Sequence, residues 1–107
     1  MNKWDLIIIE TVGKFLDKLE EDERSKVKSL SILFKEYGST LPEKYLKRMT
    51  GTKELWELRA NRIRIFLVIS KNIGIAVHAI IKKSQKTPKQ DIDLAVKRAV
   101  KAKEDLL

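Results

Sequence analysis

The sequence predicts an α+β domain in which an antiparallel-dominated, four-stranded sheet packs against two N-terminal helices and is followed by a C-terminal helix. Three observations predict it. Two apolar, β-branched runs, Ile63 to Ser70 and Ile75 to Ile81, are punctuated by Asn72 and Gly74, and each is too short for an independent helix. Two stretches before residue 38 repeat apolar residues at helical spacing, and another does so after residue 88. With 107 residues the chain can build one core but not two, so 1–107 reads as a single domain.

In chain order, Trp4 to Glu10 reads as a first strand buried on both faces, broken by Thr11 and Gly13. Val12, Phe15, Leu16 and Leu19 then mark a short amphipathic helix that ends in the acidic patch Glu20 to Glu23. A second helix runs from about Arg24 to Tyr37, with Val27, Leu30, Leu33, Phe34 and Tyr37 on its inner face and Gly38 as its stop. These helices are expected to form an antiparallel pair that covers the sheet. Residues 39–53 read as an irregular loop tethered by Leu41, Leu46 and Met49, with Lys44, Lys47, Arg48 and Lys53 facing outward.

A strand from Leu55 to Arg59 then enters the meander. If Asn61 and Arg62 form the turn, Arg59 lies opposite Arg64 and Glu57 opposite Phe66; Trp56, Leu58, Ile63 and Ile65 make the other, apolar face. Two facing arginines repel unless an anion sits between them or both splay into water, with Glu57 partly screening them. Alternation along the last strand puts His78, Ile80 and Lys82 on one face and Val77, Ala79, Ile81 and Lys83 on the other. The final helix opens with a capping box, Thr87 at the N-cap, Pro88 at the first position and Gln90 three residues on. Its apolar stripe is Ile92, Ala95, Val96, Ala99 and Val100, and Lys89, Lys97, Arg98, Lys101 and Lys103 form its wet side.

Charge is distributed unevenly. The net charge is +8, but residues 1–38 carry −1, 39–81 carry +5 and 82–103 carry +6. A positive field confined to the C-terminal two thirds suits a polyanion, whose phosphates release counterions when lysines and arginines neutralise them. The absence of cysteine excludes disulfides and thiolate chemistry, and a lone histidine, His78, excludes a histidine-based metal cage. No apolar run of about 18 residues suggests a membrane span, and the four apolar residues before Glu10 are too few for a secretory signal, so a cytoplasmic protein is expected. No phosphate-binding glycine loop, nucleophile elbow or paired carboxylates occur. What remains is a set of cations, Arg59, Arg64, Lys82, Lys83 and Lys86, converging at one edge of the sheet.

The order strand, two helices, meander and terminal helix resembles the RelE/ParE toxin superfamily. So do Leu55-Trp56-Glu57-Leu58-Arg59, Arg64-Ile65-Phe66, and His78 through Pro88 with its Lys82-Lys83-Ser84-Gln85-Lys86-Thr87-Pro88 segment. The E-L-R motif and the lysine-rich segment before the last helix are most similar to the HigB-like, phage-derived branch. The resemblance implies a RelE-like fold and the toxin of a type II toxin–antitoxin pair, commonly an endoribonuclease that cuts mRNA on the ribosome. It also implies a cognate antitoxin, often a helix-turn-helix protein, and cleavage without a metal or other cofactor.

Carried over by position, Arg64 matches the phosphate-stabilising arginine of the middle strand and Lys82 or Lys83 the cation that ends the last strand, with Arg59 in the E-L-R motif. Lys47, Arg48, Lys53, Arg62 and Lys86 would grip RNA. The general base stays open between Glu57, His78 and a lysine whose pKa is lowered by cationic neighbours. A histidine between Val77 and Ala79 is more often structural than catalytic. Where ribosome-dependent relatives place lysines on the strand before the arginine, this chain has Leu55 and Glu57, and no tyrosine follows Tyr45. The alternative function is that of a ParE-type inhibitor of DNA gyrase without nuclease activity, and a third is a prophage remnant that only binds its antitoxin.

Overall fold

The centre of the fold is the meander, and its two tight turns set the register. Strands β3 (Leu55–Ala60) and β4 (Ile63–Ser70) are joined by Asn61 and Arg62, and Arg59 pairs with Arg64 and Glu57 with Phe66, as the sequence pattern requires. Asn61 takes a φ of 55°, a left-handed conformation that asparagine tolerates better than most residues. The structure, a computed structural model, describes residues 3–52 and 54–106.

β4 returns through Lys71 and Asn72 into β5 (Ile73–Ile81). Gly74 lies within β5 rather than before it, paired with Ile69 and Leu6, and the Phe34 ring crosses so closely that a Cβ there would stand 2.7 Å from it. Between Phe66 and Leu67 the β4–β5 register slips by one residue, a bulge at Val77. The bulge turns Val77 and His78 toward the same side, so simple alternation fails there.

The sheet has five strands in the order β1-β5-β4-β3-β2, one more than the sequence predicts. The extra strand, β2 (Leu46–Arg48), is antiparallel to β3 and lies inside the expected loop. Strand β1 (Asp5–Ile8) pairs parallel with β5 at the opposite edge. The expectation of burial on both faces fails for β1, since with a neighbour on one side only it leaves Asp5 and Ile8 exposed.

Thr11 and Gly13 do not break the chain but sit within helix α1 (Glu10–Asp17). Helix α2 (Glu21–Tyr37) begins a turn earlier than expected, because Glu21, Asp22 and Glu23 favour the positive end of the helix dipole and form its first turn. Its buried stripe is Glu23, Val27, Leu30 and Phe34; Leu33 and Tyr37, expected on it, are exposed. Helix α3 (Lys89–Leu106) starts one residue later than the capping box implies, with the Pro88 carbonyl accepting from the amides of Asp91 and Ile92.

Two apolar layers sandwich the sheet. On one side Leu58, Ile63, Ile65 and Leu67 meet Val12, Val27, Leu30 and Phe34 of α1 and α2. On the other, Leu55, Phe66, Val68, Ile75 and Val77 meet Ala95, Ala99 and Ala102 of α3. The second face of the meander is therefore not wholly charged: α3 covers one half, and the charged residues occupy the half that it leaves open. At the far end of α2, Gly38 has a φ of 54° and lies against the Trp4 indole, which leaves no room for a side chain. Among the described residues no helix is long and apolar enough to cross a membrane.

Candidate functional site

The uncovered half of the sheet collects side chains from five segments. Lys47 of β2 stands opposite Glu57 of β3, Glu57 opposite Phe66 of β4, and Phe66 opposite His78 of β5. Two residues along, Arg59 faces Arg64, and Arg64 faces Ile80. The Lys82 amide donates to the Arg62 carbonyl at 2.7 Å, which ties the end of β5 to the β3–β4 turn.

The anion between the two arginines is the chain's own Glu57. Its side chain is only 6% exposed, and its Oε1 accepts a hydrogen bond from Arg59 Nε at 2.6 Å and lies 3.8 Å from Arg64 Nε. Neither arginine splays freely into water, their side chains being 31% and 16% exposed. Arg64 donates from Nη1 to the carbonyls of Asn61 and Ile63, while its Nε is buried without a hydrogen-bond partner. Burial pushes the Arg64 pKa down from the ordinary arginine value; the Glu57 carboxylate opposes that and the Arg59 charge adds to it. A poorly solvated guanidinium with an unpaired N–H gains more from a bound anion than a fully hydrated one does.

Around this cluster lies one groove in two parts that share Lys82 and Gln85. Asn61, Arg62, Arg64, Lys83 and Ser84 line the first part. Lys47, Met49, Thr50, Glu57, Arg59, Lys86, Thr87 and Ile92 line the second. The structure thus brings together Arg59, Arg64, Lys82, Lys83, Lys47, Arg62, Lys86 and Glu57 from the sequence-predicted set. Of these, Arg62 is also committed elsewhere: its Nε donates to Glu23 Oε2 of α2 at 2.8 Å, and this hydrogen bond and charge raise its pKa above the ordinary value.

Three predicted residues fall outside the groove's description. Arg48 sits on the opposite face of the sheet, its guanidinium 5.9 Å from the centre of the Trp56 ring, because alternation along β2 sends it away from Lys47. Lys53 lies outside the described residues. His78 faces the right side but lies under α3, stacked on Phe66. Its Nε2 is 2.8 Å from Asp91 Oδ1, and its Nδ1 is 3.2 Å from Arg98 Nη1, which also donates to the Val77 carbonyl at 3.1 Å. An arginine can only donate, so Nδ1 accepts and Nε2 carries the hydrogen that Asp91 receives. Both ring nitrogens are engaged within the protein.

The sequence reading did not single out Met49, Thr50, Gln85 or Ile92 as groove residues, and it used Thr87 only as a cap. Gln85 and Thr87 flank Lys86 in the segment before α3, so their proximity to the cations was legible. Met49 and Thr50 required β2, whose three residues leave no periodic signal.

The model of one protein family matches residues 14–100, which is most of the chain. The chain belongs to the phage-derived Gp49-like family (DUF891). No curated protein matches this Gp49-like chain in sequence. Among solved structures it is similar to the RelE of an archaeal RelE–RelB complex from Pyrococcus horikoshii OT3, with a TM-score of 0.63 at 15% identity over 74% of this chain and 94% of that one. The RelB–RelE antitoxin–toxin complex of Methanococcus jannaschii gives 0.61 at 18% identity, covering 77% and 99% of the two chains. A double mutant of the E. coli toxin RelE in the free state gives 0.59 at 16% identity, covering 94% and 97%. The Gp49-like chain therefore has the RelE fold, and family and fold agree with the resemblance drawn from its sequence.

Proposed function

We propose that this chain is the toxin of a toxin–antitoxin pair and an endoribonuclease that cuts translated mRNA at the ribosome. The observation that carries the reading is the groove itself, in which seven cations, Lys47, Arg59, Arg62, Arg64, Lys82, Lys83 and Lys86, surround one carboxylate, Glu57. Cleavage by the RNA's own 2′-hydroxyl needs a base, an acid and positive charge at the phosphoryl oxygens, and this composition can supply all three. The hydroxyl loses its proton to a base, its oxygen attacks the adjacent phosphorus, and the bond to the 5′-oxygen breaks as that oxygen takes a proton from an acid. The products are a 2′,3′-cyclic phosphate and a 5′-hydroxyl.

Glu57 is the base in this reading, since it is the carboxylate that lines the groove while His78 has no free ring nitrogen. Arg64 and Lys83 stabilise the extra negative charge on the phosphoryl oxygens, and the Lys82 ammonium, between the two parts of the groove, supplies the proton to the 5′-oxygen. Arg59 holds Glu57 in place, and Lys47, Arg62 and Lys86 steer the RNA backbone. The partner that silences the toxin is a cognate antitoxin, in keeping with the two similar structures titled as RelE–RelB complexes.

Induced expression of the chain alone in a bacterial host, with mapping of new mRNA 5′ ends and a parallel assay of protein synthesis, tests the reading. Cuts within translated frames that disappear in Arg64→Ala are expected. Growth arrest with intact mRNA overturns the nuclease and turns attention to gyrase.

A further inference from the structure

The turn that joins β3 to β4 supports more than its own two residues. The Asn61 carbonyl accepts from Arg64 Nη1, and the Arg62 carbonyl accepts from the Lys82 amide at 2.7 Å, so Arg64 and the end of β5 both rest on its backbone. The Arg62 side chain ties the same turn to the helical layer: Nε donates to Glu23 Oε2 at 2.8 Å and Nη2 to Glu23 Oε1 at 3.4 Å. Glu23 stands in the first turn of α2, its side chain only 11% exposed. A carboxylate taken so far out of water keeps its place only with a well-formed partner, and Arg62 supplies it.

The pair leaves one side of the guanidinium open. Glu23 takes the edge formed by Nε and Nη2, whereas Nη1 donates to no group among the described residues. The Arg62 side chain is 59% exposed, and the residue lines the open part of the groove with Arg64, Lys82 and Lys83. A planar guanidinium gripped along one edge presents the other in a fixed direction, and a phosphate recognised at two points needs such a donor pair. Charge alone argues the other way. The Glu23 hydrogen bond and charge raise the Arg62 pKa, the charges of Glu20 and Asp22 add to that field, and an acidic patch repels a polyanion.

We infer that Glu23 is a positioning residue of the phosphate-binding groove: it holds the β3–β4 turn against α2 and aims the open edge of Arg62 at the phosphate. The inference rests on the reading of the groove as a polyanion site and adds to it a carboxylate that does not line the groove.

The test uses the intact chain with two probes, inorganic phosphate and a 2′-O-methylated oligouridine that cannot be cleaved through its 2′-oxygen. Glu23→Gln keeps the size of the side chain, removes its charge and sets an amide NH2 against Arg62 Nη2, donor to donor, so the two-point grip is lost. Charge alone makes this variant bind both anions more tightly. The positioning role makes it bind them about tenfold more weakly, as one misdirected charge-assisted contact costs, and lowers the salt slope of oligouridine binding by about 0.7. Arg62→Ala should show the same loss, and the double variant no more than Arg62→Ala alone, since Glu23 acts through Arg62. A Glu23→Gln variant that binds as tightly as the parent or more so, or that adds a further loss to Arg62→Ala, overturns the role. Nuclear magnetic resonance of the parent decides the matter without a variant: phosphate should shift the Arg62 Nη signals while Nε–H stays bonded to Glu23, and a phosphate that draws Arg62 Nε off Glu23 overturns the role. A parent that binds neither probe removes the polyanion reading of the groove and this role with it, whereas a parent that binds both with Glu23→Gln unweakened removes the positioning role alone.

Discussion

Glu57 is the residue whose replacement separates structure from chemistry. Its carboxylate is buried and lies between two arginines that sit directly opposite each other, so Glu57→Ala leaves two guanidinium groups facing across a strand pair with no anion between them. Removing one member of a fully buried ion pair costs about 3–5 kcal/mol. Here Arg59 is 31% exposed and can swing outward, which lowers the expected cost to about 1–3 kcal/mol. For a chain of 107 residues that corresponds to a Tm lower by roughly 4–14 °C. Thermal unfolding of Glu57→Ala, Arg64→Ala and the double variant closes a mutant cycle, and a coupling of about 0.5–1.5 kcal/mol is expected, because the first substitution removes the charge that offsets the second residue's burial. Glu57→Gln keeps an acceptor for Arg59 Nε but cannot take a proton, so it should stay closer to the parent in stability and lose about 10²–10⁴-fold in RNA cleavage. Additive stabilities in the cycle would refute the electrostatic argument, and an active Glu57→Gln would refute the assignment of the base.

Arg64→Ala should abolish toxicity and RNA cleavage while lowering Tm by no more than a few degrees, because the side chain touches the turn carbonyls and not the core; a variant as toxic as the parent refutes its role. Gly38→Ala should cost at least about 2 kcal/mol, read as a lower Tm, since a side chain there combines a left-handed φ with an overlap on Trp4. Arg98→Ala strips a donor from both the Val77 carbonyl and His78 Nδ1, and should cost about 1–2 kcal/mol and raise amide exchange in α3 before it does so in β3 and β4. The antitoxin should cover the cationic groove or displace α3, with an association rate that falls at least about tenfold between roughly 50 and 500 mM salt; a complex that leaves Arg64 and Lys82 exposed with α3 in place contradicts this.

The meander was legible because its turns and its alternation are local. Asn61 and Arg62 fix the β3–β4 register, and with it the facing arginines, from the sequence alone. The helices misled where packing, and not hydropathy, decides which face is buried. In α3 the alanines Ala95, Ala99 and Ala102 are buried because small side chains let the helix approach the sheet closely, and the more apolar Val96 and Val100 are left exposed. In α2 the buried stripe contains Glu23, whose partner Arg62 lies 39 residues away, so no window of local sequence could reveal it. The side on which His78 lies depended on the bulge at Val77, and β2 was too short to announce itself. The cations of the groove were legible as a composition, and its neutral lining was not, because Met49, Thr50 and Ile92 come together only through tertiary packing.

The division of the sheet explains how one small domain accommodates both a core and a repulsive cluster. The face toward α1 and α2 is apolar along the length of β3 and β4 and carries the stability that the charged end of the other face lacks. On that other face α3 stops short of Arg59 and Arg64, and the polar clamp of His78, Asp91 and Arg98 marks where its cover ends. Beyond the clamp, burial of Arg64 is only partly offset by Glu57, whose Oε1 lies 3.8 Å from the buried Arg64 Nε, too far for a hydrogen bond. An incoming phosphate supplies the missing acceptor, so the same arrangement that weakens the free domain favours the bound one. The unequal offset of two arginines by one glutamate is thus the physical link between this fold and the binding of a polyanion proposed for it.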